Sequence, residues 1–379
     1  MISTLAIEAH SIFWVTALRL TRVSWRAEAP SALVGASVVL FMAAHDAQIW
    51  LATPAFLMLI GAVMVGGLAV RNRRMFAGAA LLVGLFTAGG IGADIWGTDH
   101  LSMSILIAMM GWMGLLVYCT KLTDRVWAWV TAGAGVHMVV ILYQDWLNLA
   151  DRTYRATGLV ANANIAAGLL DVAIIYLLLK GKWWLTPPFI IALLATGSRL
   201  GFWVMVGIIA IMVMRKAFRW WGVLVLGAAL VITALVLPGG VAHQRALFYG
   251  VAPRDYREYM TYEIDLRFRE AETVREPTMP GILPTGYTGD RGAHNAFWRI
   301  WYYGGILGLA AYSALYLRGM WVQRGTMAWW VLALFLGLGT LDFYVVMPST
   351  VLLWWLALSL QSRQQSQLHI HRKCDTDGT

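Results

Sequence analysis

The sequence predicts an all-α membrane protein with about twelve transmembrane helices and a partly helical loop on the non-cytoplasmic side. Of its 379 residues, 59% are hydrophobic and only 13% are charged, which is too little charge for the surface of a soluble protein of this length. The apolar residues form long blocks, and several blocks reach the roughly 20 residues that a helix needs to cross a bilayer. Because backbone polar groups cannot stay unpaired in lipid, these blocks must be helical.

The apolar blocks divide the chain into five regions. The predicted spans are 31–48, 50–70, 75–93, 101–120, 126–147, 159–179, 183–197, 200–214, 219–237, 295–317, 326–344 and 345–360. A shorter block, 5–18, carries two ionisable groups and is expected to be an interfacial or re-entrant helix. The regions are therefore an N-terminal segment 1–30, the first nine spans 31–237, the large loop 238–294, three further spans 295–360 and a polar tail 361–379.

Basic residues of the short loops fall on one side of the membrane when the spans are counted in order, which predicts that both termini are cytoplasmic. The lysines all belong to that side: Lys121, Lys180, Lys182, Lys216 and Lys373. The basic residues of the opposite loops are arginines, whose planar fork of donors matches phosphate oxygens. Arginines that pair with loop carboxylates would give the same pattern.

Three classes of partner are not favoured by the composition. The formal net charge of +9 is spread over short loops without a basic stripe, so nucleic acid is not a predicted partner. Cys119 and Cys374 cannot form a disulfide framework and are expected to be free thiols on the cytoplasmic side. Carboxylates in the large loop, such as Glu263 and Asp265, alternate with arginines, so a solvated helix face is favoured over a metal site.

Polar residues at the outer ends of the spans are the candidates for a functional site. Arg199 lies in a turn between two short spans, Asn162 and Asn164 open another span, and His294 follows a segment rich in Gly and Pro. Ionisable groups at membrane depth are costly and tend to be functional. A snorkelling arginine, helix-capping asparagines and a polar residue at a helix start are the structural alternatives.

Two charged residues extend this set. Asp171 lies deeper in the span that the asparagines open, and it needs a partner there. Arg245 lies early in the large loop, on the same outer side. A cavity that faces outward and holds an anionic head group would need such residues from distant parts of the chain.

Several segments resemble the O-antigen ligase and polymerase superfamily of bacterial membrane glycosyltransferases. They are 158–168 (GLVANANIAAG), 195–199 (ATGSR), 245–249 (RALFY) and 293–308, which joins AHNAF to a later GGILG. Their order and spacing agree with the family pattern over residues 158–315. Where the family often has an acidic residue before the glycines of the last segment, this chain has two tyrosines.

The resemblance implies a fold of the glycosyltransferase C type and a multi-pass location in the bacterial inner membrane. It implies a glycan donor linked to undecaprenyl diphosphate and requires neither a cofactor nor a metal. The acceptor is a second lipid-linked glycan, the core of lipid A or a protein, and the sequence does not separate these three.

The resemblance also implies roles for individual residues. His294 is the general base that accepts the proton of the attacking hydroxyl. Arg199 and Arg245 bind the diphosphate, whose growing negative charge needs fixed cations. The supporting residues of the predicted site are Asn162, Asn164, Arg291 and Asn295.

Two other functions stay open. A transporter or flippase of lipid-linked glycans would have charged groups near the membrane midplane and broken helices in matched halves. The sequence shows no matched halves, and its informative residues cluster at one surface. A non-catalytic membrane scaffold in glycan assembly is the third possibility.

Overall fold

The computed structural model describes residues 25–43, 52–68, 73–95, 101–147, 156–160, 162–214, 296–341 and 348–360. These residues are helical apart from turns and one isolated β-bridge between Leu68 and Thr120. The predicted all-α class is thereby confirmed for the described part of the chain. The predictions for 5–18, the span 219–237 and the loop 238–294 fall outside it.

The described residues contain eleven α-helices and one short 3-10 turn. In chain order they are α1 (Trp25–Ala43), α2 (Ala52–Gly66), α3 (Arg73–Ile95), α4 (Leu101–Cys119), α5 (Val126–Leu147), α6 (Ala163–Leu179), α7 (Thr186–Ala195), α8 (Arg199–Met214), α9 (Ala296–Val322), α10 (Met327–Leu341) and α11 (Pro348–Ser359). A 3-10 turn, Trp183–Leu185, precedes α7.

Helix boundaries follow the predicted spans where the apolar block is uninterrupted, and α5 covers the predicted residues. Several elements differ, among them α1 and the span predicted over 183–197. α1 begins at Trp25, inside the region assigned to the N-terminal segment. The span predicted over 183–197 is a 3-10 turn followed by a helix of only 10 residues. Pro187 and Pro188 explain the second difference, because proline favours the first turn of a helix over its interior.

The helices differ in how far they are surrounded by protein. α6 is central: it packs against α5, α7, α8 and α10, and nearly all of its residues are buried. α2 is peripheral: it packs against α1 and α4 and exposes Leu57, Met64 and Val65. Within the described residues, one helix, Val126–Leu147, is long and apolar enough to cross a membrane, and other apolar stretches have 10–17 residues.

Several connections meet at one end of the bundle, which we call the basic end. Ser31 Oγ lies 3.0 Å from Thr123 Oγ1, and Glu28 forms an ion pair with Arg125. These contacts join the start of α1 to the start of α5. Lys180, at the end of α6, lines a cavity at the same end, so loops that carry lysines are neighbours in space.

The helix α9 is broken in its first half. Gly305 has φ 64° and ψ −171°, a backbone conformation that residues with a side chain rarely adopt. Gly304 packs on α3, where a Cβ atom would lie 3.3 Å from Phe86 Cε1. α9 therefore consists of two helical arms joined at Gly305, whereas the sequence predicted one continuous helix.

Candidate functional site

Two of the family-like segments, 158–168 and 195–199, meet in the structure. Ser198 Oγ donates a hydrogen bond of 2.8 Å to Asn164 Oδ1, although the two residues are 34 positions apart. Asn164 lies in the first turn of α6, and α6 ends at the basic end, so this contact lies at the opposite end of the bundle. We call the residues around it the Asn–Ser site: Asn162, Asn164, Thr196 and Ser198.

Two helices begin at the Asn–Ser site, and each is capped by one of its residues. Asn162 Oδ1 accepts a 2.8 Å hydrogen bond from the backbone N–H of Asn164 at the start of α6. Ser198 Oγ accepts a 3.2 Å hydrogen bond from the backbone N–H of Gly201 at the start of α8. Because a helix N-terminus has unpaired N–H groups and partial positive charge, two adjoining N-termini favour an anion.

The turn before α8 is fixed by hydrogen bonds of its own. Thr196 Oγ1 donates to the carbonyl of Leu193 at 2.6 Å and accepts from the backbone N–H of Ser198 at 3.2 Å. Gly197 has φ 61°, which glycine adopts without steric cost. The turn ends on Arg199, the first residue of α8, whose side chain lies outside the described part of the structure.

A second turn, 156–160, leads into the site and is held by side chains of α5. Gln144 Oε1 accepts from the N–H groups of Thr157 at 3.1 Å and Gly158 at 2.7 Å, and its Nε2 donates to the Gly158 carbonyl at 2.9 Å. His137 Nδ1 accepts from the N–H of Leu159 at 3.1 Å. Since Nδ1 accepts, a neutral His137 carries its proton on Nε2.

This second turn lies beside α5 rather than beyond its end. Gln144 and His137 precede the end of α5 at Leu147 by roughly one to three helical turns, which places the 156–160 turn about 5–15 Å below that end. α6 has 17 residues against the 22 of α5, so it also begins below the end of α5. The Asn–Ser site is therefore set below the rim that α5 defines.

A buried carboxyl group continues the polar face of α6 below the site. Asp171 lies two helical turns from Asn164 and is 0% exposed. Neither of its oxygens has a hydrogen-bond partner among the described residues. Gly201 lets α8 approach this face: a Cβ atom there would lie 2.6 Å from Ala167 Cβ and 3.5 Å from Asp171 Oδ2. A buried carboxyl without a partner is costly, and such groups tend to be functional in membrane proteins.

Of the residues predicted for the site, the structure brings Asn162, Asn164 and the turn before Arg199 together. Asn162 acts as a helix cap, the structural alternative considered for it. The remaining predicted residues lie outside the described part of the chain: Arg245, Arg291, His294 and Asn295. A comparison of the chain with family models, curated proteins and solved structures found no match.

The residues that position the 156–160 turn were not among the predicted site residues. Gln144 and His137, like Asp145, are polar residues in a mostly apolar predicted span. Polar groups at membrane depth are rare enough to be a signal on their own. Ser198 belonged to a quoted segment, but its partner Asn164 became evident only from the packing of α8 on α6.

Proposed function

We propose that this chain is a membrane glycosyltransferase that moves a glycan from undecaprenyl diphosphate to an acceptor hydroxyl at the outer face of the bacterial inner membrane. The hydrogen bond from Ser198 to Asn164 carries the proposal, because it joins two family-like segments at two helix N-termini. It also fixes the side-chain amide of Asn164, and a preorganised site needs fixed polar groups. The site lies at the end of α6 opposite Lys180, as an outward-facing site requires.

Exposed apolar side chains support the membrane part of the proposal. On α2 and α5, large apolar side chains face outward over successive turns, among them Leu57, Met64, Val139 and Trp146. A continuous exposed apolar face is unfavourable in water, whereas lipid accepts it. The proposal includes about twelve transmembrane helices, a fold of the glycosyltransferase C type and cytoplasmic termini.

In the proposed reaction, the acceptor oxygen attacks the anomeric carbon of the donor sugar. The bond between that carbon and the diphosphate oxygen breaks, and undecaprenyl diphosphate leaves. His294 takes the proton of the acceptor hydroxyl and is oriented by Asn295. Arg199 and Arg245 balance the charge of the leaving group together with the two helix N-termini, so the reaction needs no metal ion.

Glycan transfer by the purified protein tests this proposal. The protein is given a glycan on undecaprenyl diphosphate with a second lipid-linked glycan, lipid A core or an acceptor protein, and products are measured by mass spectrometry. We expect transfer to one acceptor class and a loss of at least about a hundredfold in His294→Ala and in Arg199→Ala. Arg318→Ala, an exposed arginine of α9, is the matched control and should keep full activity.

The outcomes separate the parts of the proposal. Full activity of His294→Ala would show that the base assignment is wrong, and full activity of Arg199→Ala would remove the diphosphate role of that arginine. If no donor is consumed with any acceptor, the proposed glycan-transfer activity is disproved. Cysteine labelling of the 238–294 loop from the cytoplasmic side alone would reverse the predicted topology.

One observation favours the alternative of a transporter or flippase. The break at Gly305 resembles the discontinuous helices on which transporters build their binding sites. A transporter with internal repeats is expected to have a matching break in its other half, and α9 alone carries such a break among the described helices. Proteoliposomes that move a fluorescent lipid-linked glycan across the bilayer without forming product would establish transport in place of transfer.

A further inference from the structure

The basic end contains a cavity of about 610 Å³ that the proposed transfer reaction does not use. It lies where α5 and α10 begin and where α6 and α11 end. The 17 residues of α6 separate it from the Asn–Ser site by about 25 Å. Its polar and aromatic lining includes Asp124, Trp127, Tyr176, Lys180, Gln323 and Trp330.

The rim of the cavity carries charges of both signs. Lys180 and Asp124 are both exposed, and both line the cavity. Lys180 Nζ lies 5.8 Å from the centre of the Tyr176 ring, a distance typical of a cation–π contact. The ion pair described at this end is between Arg125 and Glu28, so Asp124 is not part of it. A ligand with a negative and a positive group would match this rim.

The wall of the cavity adds a buried polar group between apolar surfaces. Gln323 is 1% exposed, and its Nε2 has no hydrogen-bond partner among the described residues. Its Oε1 lies 3.5 Å from Thr326 Oγ1. A buried amide N–H without a hydrogen bond destabilises the folded protein. After a small rotation of the Gln323 side chain, a ligand oxygen can accept that hydrogen bond and remove the penalty. Trp127 and Trp330 supply apolar surface on either side.

Two helix N-termini face the same cavity. α10 begins after Thr326, whose Oγ1 accepts a 3.3 Å hydrogen bond from the N–H of Trp329, and α5 begins after Asp124. The partial positive charge at the start of α10 adds to the charge of Lys180 and favours a phosphate on that side of the cavity. Asp124 lies at the start of α5 and offers a carboxylate to a cationic group.

We propose that this cavity binds the headgroup of a phosphoethanolamine lipid, with the phosphate toward Lys180 and Gln323 and the ammonium toward Asp124. The inference relies on the membrane part of the proposed function, since the lipid comes from the leaflet at the basic end. It is independent of the transfer chemistry, which lies at the other end of α6. Tryptophans suit such a place, because their rings prefer the boundary between lipid tails and water.

Lipid retention by the purified protein tests the inference without any glycan donor. Native mass spectrometry counts bound lipid after incubation with equal amounts of phosphatidylethanolamine and phosphatidylglycerol of the same chain length. We expect Lys180→Ala to bind phosphatidylethanolamine about tenfold more weakly, from the loss of one charge-assisted contact. Lys182→Ala is the matched control, because this neighbouring lysine does not line the cavity.

A second variant tests recognition of the ammonium group. Asp124→Asn should abolish the preference for phosphatidylethanolamine over phosphatidylglycerol while leaving total lipid binding close to that of the wild type. Equal retention by Lys180→Ala, Lys182→Ala and the wild type overturns the inference. Displacement of the lipid by millimolar inorganic phosphate would also overturn it, because the site would then hold free phosphate. Glycan transfer by a protein that retains neither lipid would leave the proposed function intact.

Discussion

Helices α6 and α2 are similarly apolar in sequence, yet the structure gives them opposite surroundings. α6 is enclosed by four other helices, whereas α2 packs against two and exposes large apolar side chains. Apolar character therefore does not decide which helix lies inside this bundle. α6 differs by its polar Asn164 and Asp171, whereas both helices carry several Ala and Gly residues. Polar groups and close packing, rather than apolarity, drive helix association in lipid.

The largest predicted change in stability concerns Gly201, the glycine that lets α8 pack closely against α6. Gly201→Ala places its Cβ 2.6 Å from Ala167 Cβ and should destabilise the protein by about 3 kcal/mol, since overpacking forces the helices apart. Gly61→Ala in α2 is the control, because its Cβ would lie at an ordinary 3.6 Å from Leu33 Cδ1. Thermal unfolding in detergent should show a lower melting temperature for the first variant only. Equal melting temperatures would contradict the tight packing of α8 on α6.

The buried carboxyl of α6 should reduce stability, and α2 has no such group. Asp171→Val replaces an unpartnered carboxyl by an apolar side chain and should raise stability by about 2 kcal/mol. Glycan transfer should fall in the same variant if the carboxyl serves the site above it. Asp171→Asn keeps a polar group there and should stabilise less. A lower melting temperature of Asp171→Val than of the wild type would show that the carboxyl has a stabilising partner.

A smaller effect is expected at the contact that joins the two family-like segments. Ser198→Ala removes the donor to Asn164 and the cap of α8, at a cost of about 1 kcal/mol. Glycan transfer should fall about tenfold, because the amide of Asn164 is no longer fixed. Ser359→Ala is the control: among the described residues, this serine bonds only to the carbonyl of Leu356, within its own helix. Unchanged glycan transfer by Ser198→Ala would show that the Ser198–Asn164 hydrogen bond does not support the proposed function.

The smallest change in stability is expected for two single-cysteine variants. Their labelling directly compares the surroundings of α2 with those of α6. Single cysteines at Leu57 of α2 and Ala173 of α6, in a background without Cys119 and Cys374, should leave the melting temperature nearly unchanged. A lipid-soluble maleimide should label the α2 cysteine and not the α6 cysteine, since Leu57 is 60% exposed and Ala173 is 0% exposed. A water-soluble maleimide that labels Leu57→Cys faster than the lipid-soluble one would place α2 in water.

Much of the helical framework could be predicted, because most helix ends coincide with the ends of apolar blocks. α5 is the clearest case, because the charged residues Asp124 and Arg125 directly precede its apolar block. α6 begins at Ala163, later than the predicted 159, because Gln144 holds the preceding residues in a turn. That hydrogen bond is a tertiary contact, and the local sequence carries no sign of it.

The sequence predicted at which end of the helices the candidate site residues lie, but not which hydrogen bonds join them. The span count put Asn162, Asn164 and Arg199 at one end of the bundle, and the structure brings the first two to the turn that precedes the third. The sequence did not show that Ser198 connects them, because a serine hydroxyl has many available partners. The roles of His294 and Arg245 stay predictions, since both lie outside the described residues.

The break in α9 has a mechanical consequence. An intact helix is a rigid rod that carries a push from one end to the other, but Gly305 divides this rod into arms of about 13 Å and 25 Å. The longer arm is clamped by Tyr312, whose ring stacks on Trp354 at a centroid distance of 5.0 Å. The Gly305 joint therefore separates the arm next to the predicted 238–294 loop from the arm that Tyr312 holds against α11.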